Sequence, residues 1–492
     1  MNPRKPMSES NPHTVCIIGG GMSGLFTGAL LAKNGYKVTV LEKNHIIGGG
    51  LQSFRRGDAV FNTGLQVFCG YGKEYALSLF LDYLQIDKQS LPFVPLDEEA
   101  QEIIWLDKGN CYRMPKKREK YEAYLISQFP DQAEGIHHLL NDVFEIGNTF
   151  DYFWLRPMRR HPESAYYSQM TARQLIDKYI TNDKLAGLFE YVGMHLGYNL
   201  SQISSIGLGM ILLLYIEGGW RMQGGSHTFA KVLESYINEH GGKVLNDSEV
   251  VNVHVDNGRV SYAQTSQGEK YYADDFVCGM SPLPFIQMTN TDVFRLSTSE
   301  RIRVAQNDIS CFICYVKLKK NTFPFFNNWI FIPTQEKDAV LPHYVTLLTP
   351  PMRNQGKWAR TMEIFTFVRY SEFERWKDSS IENRGDDYKQ KKMRLASELL
   401  NIVSAYYPDL KDSIEEVYTA SPLTLRDYYS NPLGAVYGQQ GLFVPIKAKA
   451  KNLYMTGQAV QYQGLFGVLT TSIATSEAIV GRSLIEEIAN AS

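Results

Sequence analysis

The chain has 492 residues, 44% of them apolar, enough to bury a large core spread over more than one lobe. Its 50 basic and 52 acidic side chains nearly cancel to a net charge of −2, so no global field draws it to nucleic acid. Six scattered cysteines are too sparse for a disulfide scaffold and suit a reducing, cytoplasmic setting.

The opening stretch, residues 1–14, is polar and has no apolar core of the signal-peptide kind. Residues 15–18 read as a short buried strand, 23–34 as a helix closed by Gly35, and 37–42 as a second strand. Between the first strand and the helix, Gly19, Gly21 and Gly24 form G-x-G-x-x-G, the spacing of a turn that brings backbone N–H groups and a helix N-terminus to a pyrophosphate. Glu42 ends the second strand, where a carboxylate accepts hydrogen bonds from ribose hydroxyls and repels a 2′-phosphate. The candidate cofactor set therefore includes Met22 and Ser23 within the motif and Lys43 beside Glu42. A further glycine cluster, Gly48, Gly49 and Gly50, followed by Leu51, and a turn-rich segment ending at Gly64, Leu65 and Gln66 fit a cofactor longer than NAD.

Residues 76–214 read as mostly helical. The apolar run 206–216 is shorter than the roughly 18 residues that span a bilayer. A helix from 229 leads into a strand meander from about 244 to 279 that carries Val250, with Asn257-Gly258 as a type I′ turn signal. Strand-like runs at 311–318, 343–348 and 361–370 predict a second sheet, and Cys311-x-x-Cys314 falls inside one of them as two small core residues. A helix over about 388–407, a strand at 452–457 and a small-residue helix over about 467–488 close the chain. No His, Cys or carboxylate spacing of the metal-ligand kind occurs, so no metal is expected. His137-His138 lies on the solvent face of an amphipathic helix. The aromatic–basic segment 150–160 and the basic cluster 114–120 are read as core or ordinary surface, or together as a peripheral membrane contact.

Several segments resemble the phytoene desaturase, carotenoid isomerase and retinol saturase superfamily of flavoproteins. They are Gly48-Gly49-Gly50-Leu51-Gln52-Ser53-Phe54, Phe61-Asn62-Thr63-Gly64, Y-I-E-G-G-W-R-M-Q-G-G-S (215–226), N-P-L-G-A-V-Y-G (431–438) and T-G-Q-A-V-Q-Y-Q-G-L-F-G (456–467). The resemblance implies an α/β fold in which a Rossmann-type FAD-binding domain (1–75, 215–285 and 415–492) interleaves with a sheet-plus-helix substrate domain (76–214 and 286–414). It implies FAD held by Gly19 to Gly24, Glu42, Gly49 and Gly50, with Val250 at the adenine, Gly457 and Gln458 at the pyrophosphate, and Gly464, Gly467 and Val468 opening the last helix under the flavin. Gly64, Leu65 and Gln66 would lie beside the isoalloxazine. Ala459-Val460-Gln461 departs from the proline or acidic residue common there.

The implied activity is desaturation, saturation or isomerisation of carbon–carbon double bonds in an apolar isoprenoid or polyene lipid. No second G-x-G-x-x-G is present, so electrons would pass to or from a quinone, oxygen or a redox protein. No acid or base declares itself; Glu217, Arg426 and Tyr437 are the catalytic candidates, and Tyr215 to Gly219 the expected wall between the lobes. Two other readings stay open on the same architecture: an amine oxidase, and a non-catalytic escort for prenyl lipids.

Overall fold

The computed structural model describes residues 12–72, 75–157, 159–334, 340–352, 356–438, 442–460 and 462–491. Most of the polar N-terminal stretch, Met158 and Gln461 thus lie outside the described residues. Among those residues, five parallel strands form one sheet in the order Leu453–Met455, Asp275–Cys278, Thr14–Ile18, Lys37–Leu41 and Lys243–Leu245. Segments from the start, middle and end of the chain therefore share one sheet. Parallel strands bury both faces, and the alternating side chains divide accordingly. Val15, Ile17, Val38 and Val40 meet the helices Met22–Lys33 and His227–Glu239, while Cys16, Ile18 and Leu41 meet the meander. That meander is Val250–Asp256, Arg259–Thr265 and Lys270–Tyr271, and its turn has positive φ at both Asn257 and Gly258, as type I′ requires.

A second sheet runs in the order Ile414–Ala420, Ile309–Leu318, Thr361–Arg369, Tyr344–Leu348, Trp329–Pro333, Glu102–Asp107 and Asn110–Met114. All of its pairings are antiparallel except that of Trp329–Pro333 with Glu102–Asp107. One face (Phe312, Cys314, Val316, Leu318) lies under the helix Gly385–Ser404. The other face (Ile309, Cys311, Ile313, Tyr315) joins the core that also packs the parallel sheet.

The structure departs from the sequence reading in three places. Residues 76–214 are not helical throughout, because Phe93–Pro95, Glu102–Asp107 and Asn110–Met114 are strands. The pairing of Glu102–Asp107 with Trp329–Pro333 is remote in sequence and leaves no local signal. The closing helix begins at Gly464 rather than near 467 and stops at Gly481, whose left-handed backbone caps it before a short helix, Ile485–Ala489. Ile414–Ala420 pairs with Ile309–Leu318, so a boundary at 415 would cut a strand of the second sheet.

No helix among the described residues is long and apolar enough to cross a membrane. In segment 150–160, Phe150, Phe153 and Leu155 are buried, with Phe150 against Tyr462 and Phe153 against Phe466. Arg156, Arg159 and Arg160 remain exposed. In the 114–120 cluster, Lys116, Lys120 and Arg118 pair with Glu98, Glu99 and Glu122. His137 and His138 are exposed, as their helix phase predicts.

Candidate functional site

The turn after Thr14–Ile18 closes tightly on itself. A Cβ at Gly24 would sit 2.0 Å from the Gly19 carbonyl oxygen, so only glycine lets the helix start against the strand. Met22 is the first helical residue, and the Ser23 hydroxyl donates to the Gly279 carbonyl at 3.3 Å. Glu42 is buried at the end of its strand. One carboxylate oxygen accepts the Gly20 N–H at 2.8 Å and the other the Asn44 N–H at 2.9 Å, leaving a second lone pair on each. Burial pushes its carboxyl up, opposed by those two backbone donors. Lys43 turns away from the glycine turn, donating to the Asp427 carbonyl, and burial lowers its ammonium pKa.

The other glycines converge on this turn. Gly21 bridges Gly48, and a Cβ on Gly49 would lie 3.2 Å from the Gly21 Cα. Gly50 accepts from the Leu65 N–H at 2.7 Å, and a Cβ on Gly64 would come within 3.0 Å of the Gly50 Cα and 3.1 Å of the Tyr429 hydroxyl. Gly64 is nevertheless exposed, while Asn62, Gln66, Val67 and Phe68 around it are buried. Gly457 lies against Ser23, 3.1 Å from its Oγ were a Cβ present, and its N–H donates to Thr471 Oγ1 at 3.2 Å. The first helix is tied to Thr456, just after the edge strand, by Thr27 (3.1 Å) and to the long closing helix by the Ser472 hydroxyl donating to the Ser23 carbonyl (3.2 Å). Gly467 is as crowded as Gly24, because a Cβ would be 2.3 Å from the Tyr462 carbonyl.

Gly19, Gly21, Met22, Ser23, Gly24, Gly49, Gly50, Leu51, Gly64, Leu65 and Gly457 thus belong to one connected arrangement around the first glycine turn, while Gly467 packs against Tyr462. Gln66 and Val468 are buried, Gly464 is the first residue of the closing helix, and Val250 begins the meander. Gln458 sits beside Gly438.

The three catalytic candidates part company. Arg426 donates to the Tyr370 hydroxyl (3.1 Å) and the Lys377 carbonyl (2.7 Å) and pairs with Asp427, bracing the helix Pro422–Tyr429 against the segment 370–377. Glu217 ends the helix Ser205–Glu217 and accepts from the Tyr75 hydroxyl. Tyr437 is half-buried, and burial raises the pKa of its phenol, disfavouring ionisation.

Sequence reasoning passed over two buried ionisable groups, Glu363 and Arg221. Glu363, 0% exposed on Thr361–Arg369, accepts the Asn62 N–H at 2.6 Å. Burial drives its carboxyl up to about 7, opposed by the Asn62 hydrogen bond, the Arg221 charge and Gln66. Arg221, 1% exposed, is pushed down to about 10 by burial. Among the described residues, Glu363 Oε2 and Arg221 Nε and Nη1 have no hydrogen-bond partner. Buried charges are rare enough that a lone Glu inside T-M-E-I-F-T-F-V was the available signal.

Residues 17–84 match a family model described as an NAD(P)-binding Rossmann-like domain. Over 95% of the chain, and 86% of the relative, the sequence is 24% identical to an all-trans-retinol 13,14-reductase of Danio rerio. It is 23% identical to prolycopene isomerase 1 of an Oncidium hybrid cultivar over 89% of the chain and 77% of the relative. A 4,4'-diapophytoene desaturase of Staphylococcus haemolyticus is 21% identical over 95% and 98%. Among solved structures, an oxidoreductase from Methanosarcina mazei aligns with a TM-score of 0.65 at 16% identity, covering 94% of this chain and all of that one. A putrescine oxidase variant aligns at 0.62 and 13%, covering 96% and 99%, a likeness of fold alone. With the glycine arrangement built on a Rossmann-like sheet, these nearly full-length likenesses support a resemblance to the carotenoid and retinol oxidoreductases.

Proposed function

We propose that this protein is an FAD-dependent oxidoreductase acting on carbon–carbon double bonds of an apolar polyene or isoprenoid lipid. The observation that carries this reading is the convergence of Gly21, Gly49, Gly64 and Gly457, from three distant segments, onto one cradle whose backbone has no side chains in the way. The relatives named for retinol, prolycopene and diapophytoene chemistry support the substrate class.

In this reading FAD, when bound, supplies the two-electron chemistry at the double bond. The chain's own residues do the rest. Backbone N–H groups at Gly21 to Ser23, at the start of the helix Met22–Lys33, would hold the pyrophosphate with Gly457 and Gln458, and Glu42 the ribose. Gly49, Gly50 and Leu51 would follow the chain of the cofactor, and Val250 the adenine. Gly464, Gly467 and Val468 would present the partial positive charge of the closing helix to the isoalloxazine. Gly64, Leu65 and Gln66 would form the opposite wall, fixed from behind by Glu363. The aromatic and aliphatic core shared by the two sheets would exclude water from the reacting bond.

The matching division of the chain is a nucleotide lobe from 12–75, 215–285 and the residues after Ala420, with the remainder as the substrate lobe. A quinone, oxygen or a redox protein would exchange electrons with it. Purified protein should be yellow, release FAD on denaturation, and show flavin reduction or reoxidation with polyenes. A colourless protein that stays so with added FAD would overturn the reading. Turnover of polar amines with no response to any polyene would move it to the amine oxidases.

A further inference from the structure

The last turn of the helix Pro422–Tyr429 reaches two separate segments of the cofactor cradle. Ser430 follows it with a left-handed backbone (φ 51°), and a helix that ends there leaves its final carbonyls without partners of its own. Two of them are taken by the residues that follow Glu42. The Lys43 ammonium donates to the Asp427 carbonyl, and the Asn44 side-chain amide donates to that of Tyr428 at 3.0 Å. A cation in this place also meets the negative end of the helix dipole. The Asn44 backbone N–H meanwhile holds a Glu42 carboxylate oxygen at 2.9 Å. One residue thus seats the helix and places the acid.

The next residue of the helix reaches the second segment. The Tyr429 hydroxyl donates to the Thr63 carbonyl at 2.9 Å, and its oxygen would lie 3.1 Å from a Cβ on Gly64. The same stretch is held by Gln52, whose carbonyl accepts from the Thr63 N–H and hydroxyl, both at 3.0 Å, and by Gly50, which accepts from the Leu65 N–H at 2.7 Å. Away from the cradle, the Ser421 and Tyr388 hydroxyls pair at 2.7 Å, and Asp427 pairs with Arg384. Three consecutive residues, Asp427 to Tyr429, therefore join the Glu42–Asn44 segment to the Thr63–Gly64 peptide.

We propose that Lys43, Asn44 and Tyr429 are cofactor-positioning residues, a clamp in which one helical turn sets the span between the ribose end and the ring end of bound FAD. The proposal rests on the FAD reading above, in which Glu42 takes the ribose and Gly64 lies at the isoalloxazine. Lys43 and Asn44 then act on the nucleotide half and Tyr429 on the ring half. Each works through a group that meets the cofactor rather than by meeting it. Losing one such hydrogen bond loosens the segment it holds and is worth roughly tenfold in affinity.

The test is calorimetric titration of the full-length, flavin-free protein with FAD and with ADP, which fills only the nucleotide half. The visible spectrum of the bound flavin is the second readout. Tyr429→Phe should weaken FAD about tenfold, leave ADP unchanged and shift the flavin band. Asn44→Ala and Lys43→Met should weaken FAD and ADP equally, about tenfold, with the band in its wild-type position. Lys43→Arg, which keeps a donor for Asp427, should bind both as the wild type does. A general structural lesion would move both ligands together in every variant. Equal loss of ADP and FAD in Tyr429→Phe, or no loss of either, therefore overturns the clamp and leaves the FAD reading standing. If Tyr429→Phe does not fold, Asn44→Ala decides: an unchanged ADP affinity overturns the clamp. Wild-type protein that binds neither ligand sinks the FAD reading, and the clamp with it.

Discussion

The carboxylate of Glu363 accepts a 2.6 Å hydrogen bond from the backbone N–H of Asn62, tying the middle of the second sheet to the segment that runs into Gly64. Asn62 is itself a junction, since its side-chain oxygen accepts from Ser53 Oγ (3.2 Å) and from the Ser226 N–H (2.9 Å). One buried acid thus ties the second sheet to the Asn62 junction and, through it, to Ser53 and Ser226.

That acid makes stability depend on pH. Burial raises its folded pKa from 4.5 to about 7, so its favourable contribution is complete below pH 4.5 and disappears as pH climbs through 7. The difference is worth about 3 kcal/mol at most. Glu363→Gln keeps an acceptor for Asn62 without the titrating proton. Thermal melts should show wild type losing stability between pH 5 and 8 relative to this variant, with the two converging at the acid end.

Gly24→Ala should strike the cradle directly. Its Cβ would meet the Gly19 carbonyl oxygen at 2.0 Å, forcing strand and helix apart. Overpacking of this kind costs roughly 1–3 kcal/mol, and flavin stoichiometry should fall with the melting temperature. Gly187→Ala is the control: nothing lies within 4 Å of that position, on the helix Asp183–Leu188. Removing a helical glycine there should leave flavin content alone and raise stability by up to about 1 kcal/mol.

Arg426→Ala should behave as a structural lesion. The guanidinium joins Tyr370, Lys377 and Asp427. Its loss should lower stability by roughly 1–2 kcal/mol while the visible spectrum and rate of flavin reoxidation by oxygen stay as in wild type. A spectral shift would return it to the cofactor site.

Cys311 and Cys314 should resist thiol reagents in the native state. Burial pushes both up to about 12, and they point into different cores on opposite faces of one strand. Neither a disulfide nor a reactive thiolate follows from their C-x-x-C spacing. Reaction with a disulfide reagent at pH 8, followed by peptide mass mapping, should find both unmodified until the protein unfolds.

Binding to anionic vesicles, if it occurs, should rest on Arg156, Arg159 and Arg160, which stay exposed while the aromatic half of their segment faces inward. Neutralising the three should abolish sedimentation with such vesicles, and altering Lys116, already paired with Glu98, should change little.

The nucleotide turn was legible because its demands are local. Gly24 must be glycine within five residues of Gly19, and Glu42 must end the very next strand. The Asn257-Gly258 turn was legible for the same reason. Glu102–Asp107 was not, since its partner strand begins at Trp329, and neither was the meeting of Glu363 with Asn62 and Arg221. Nor were the partners of Arg426 legible, because a family-like segment does not say which of its residues face the interior and which, like Arg426, brace neighbouring elements. Side-chain direction separates the two, and spacing along the chain does not record it.

Leu453–Met455 is the outermost strand of the nucleotide sheet, and Gly457 just beyond it closes against Ser23. A ribosome must therefore deliver almost the entire polypeptide before the first glycine turn acquires its lid. Any cofactor held there would be captured only after synthesis, since a nascent chain halted short of the final helix would carry the glycine turn without the Gly457 segment that closes against Ser23.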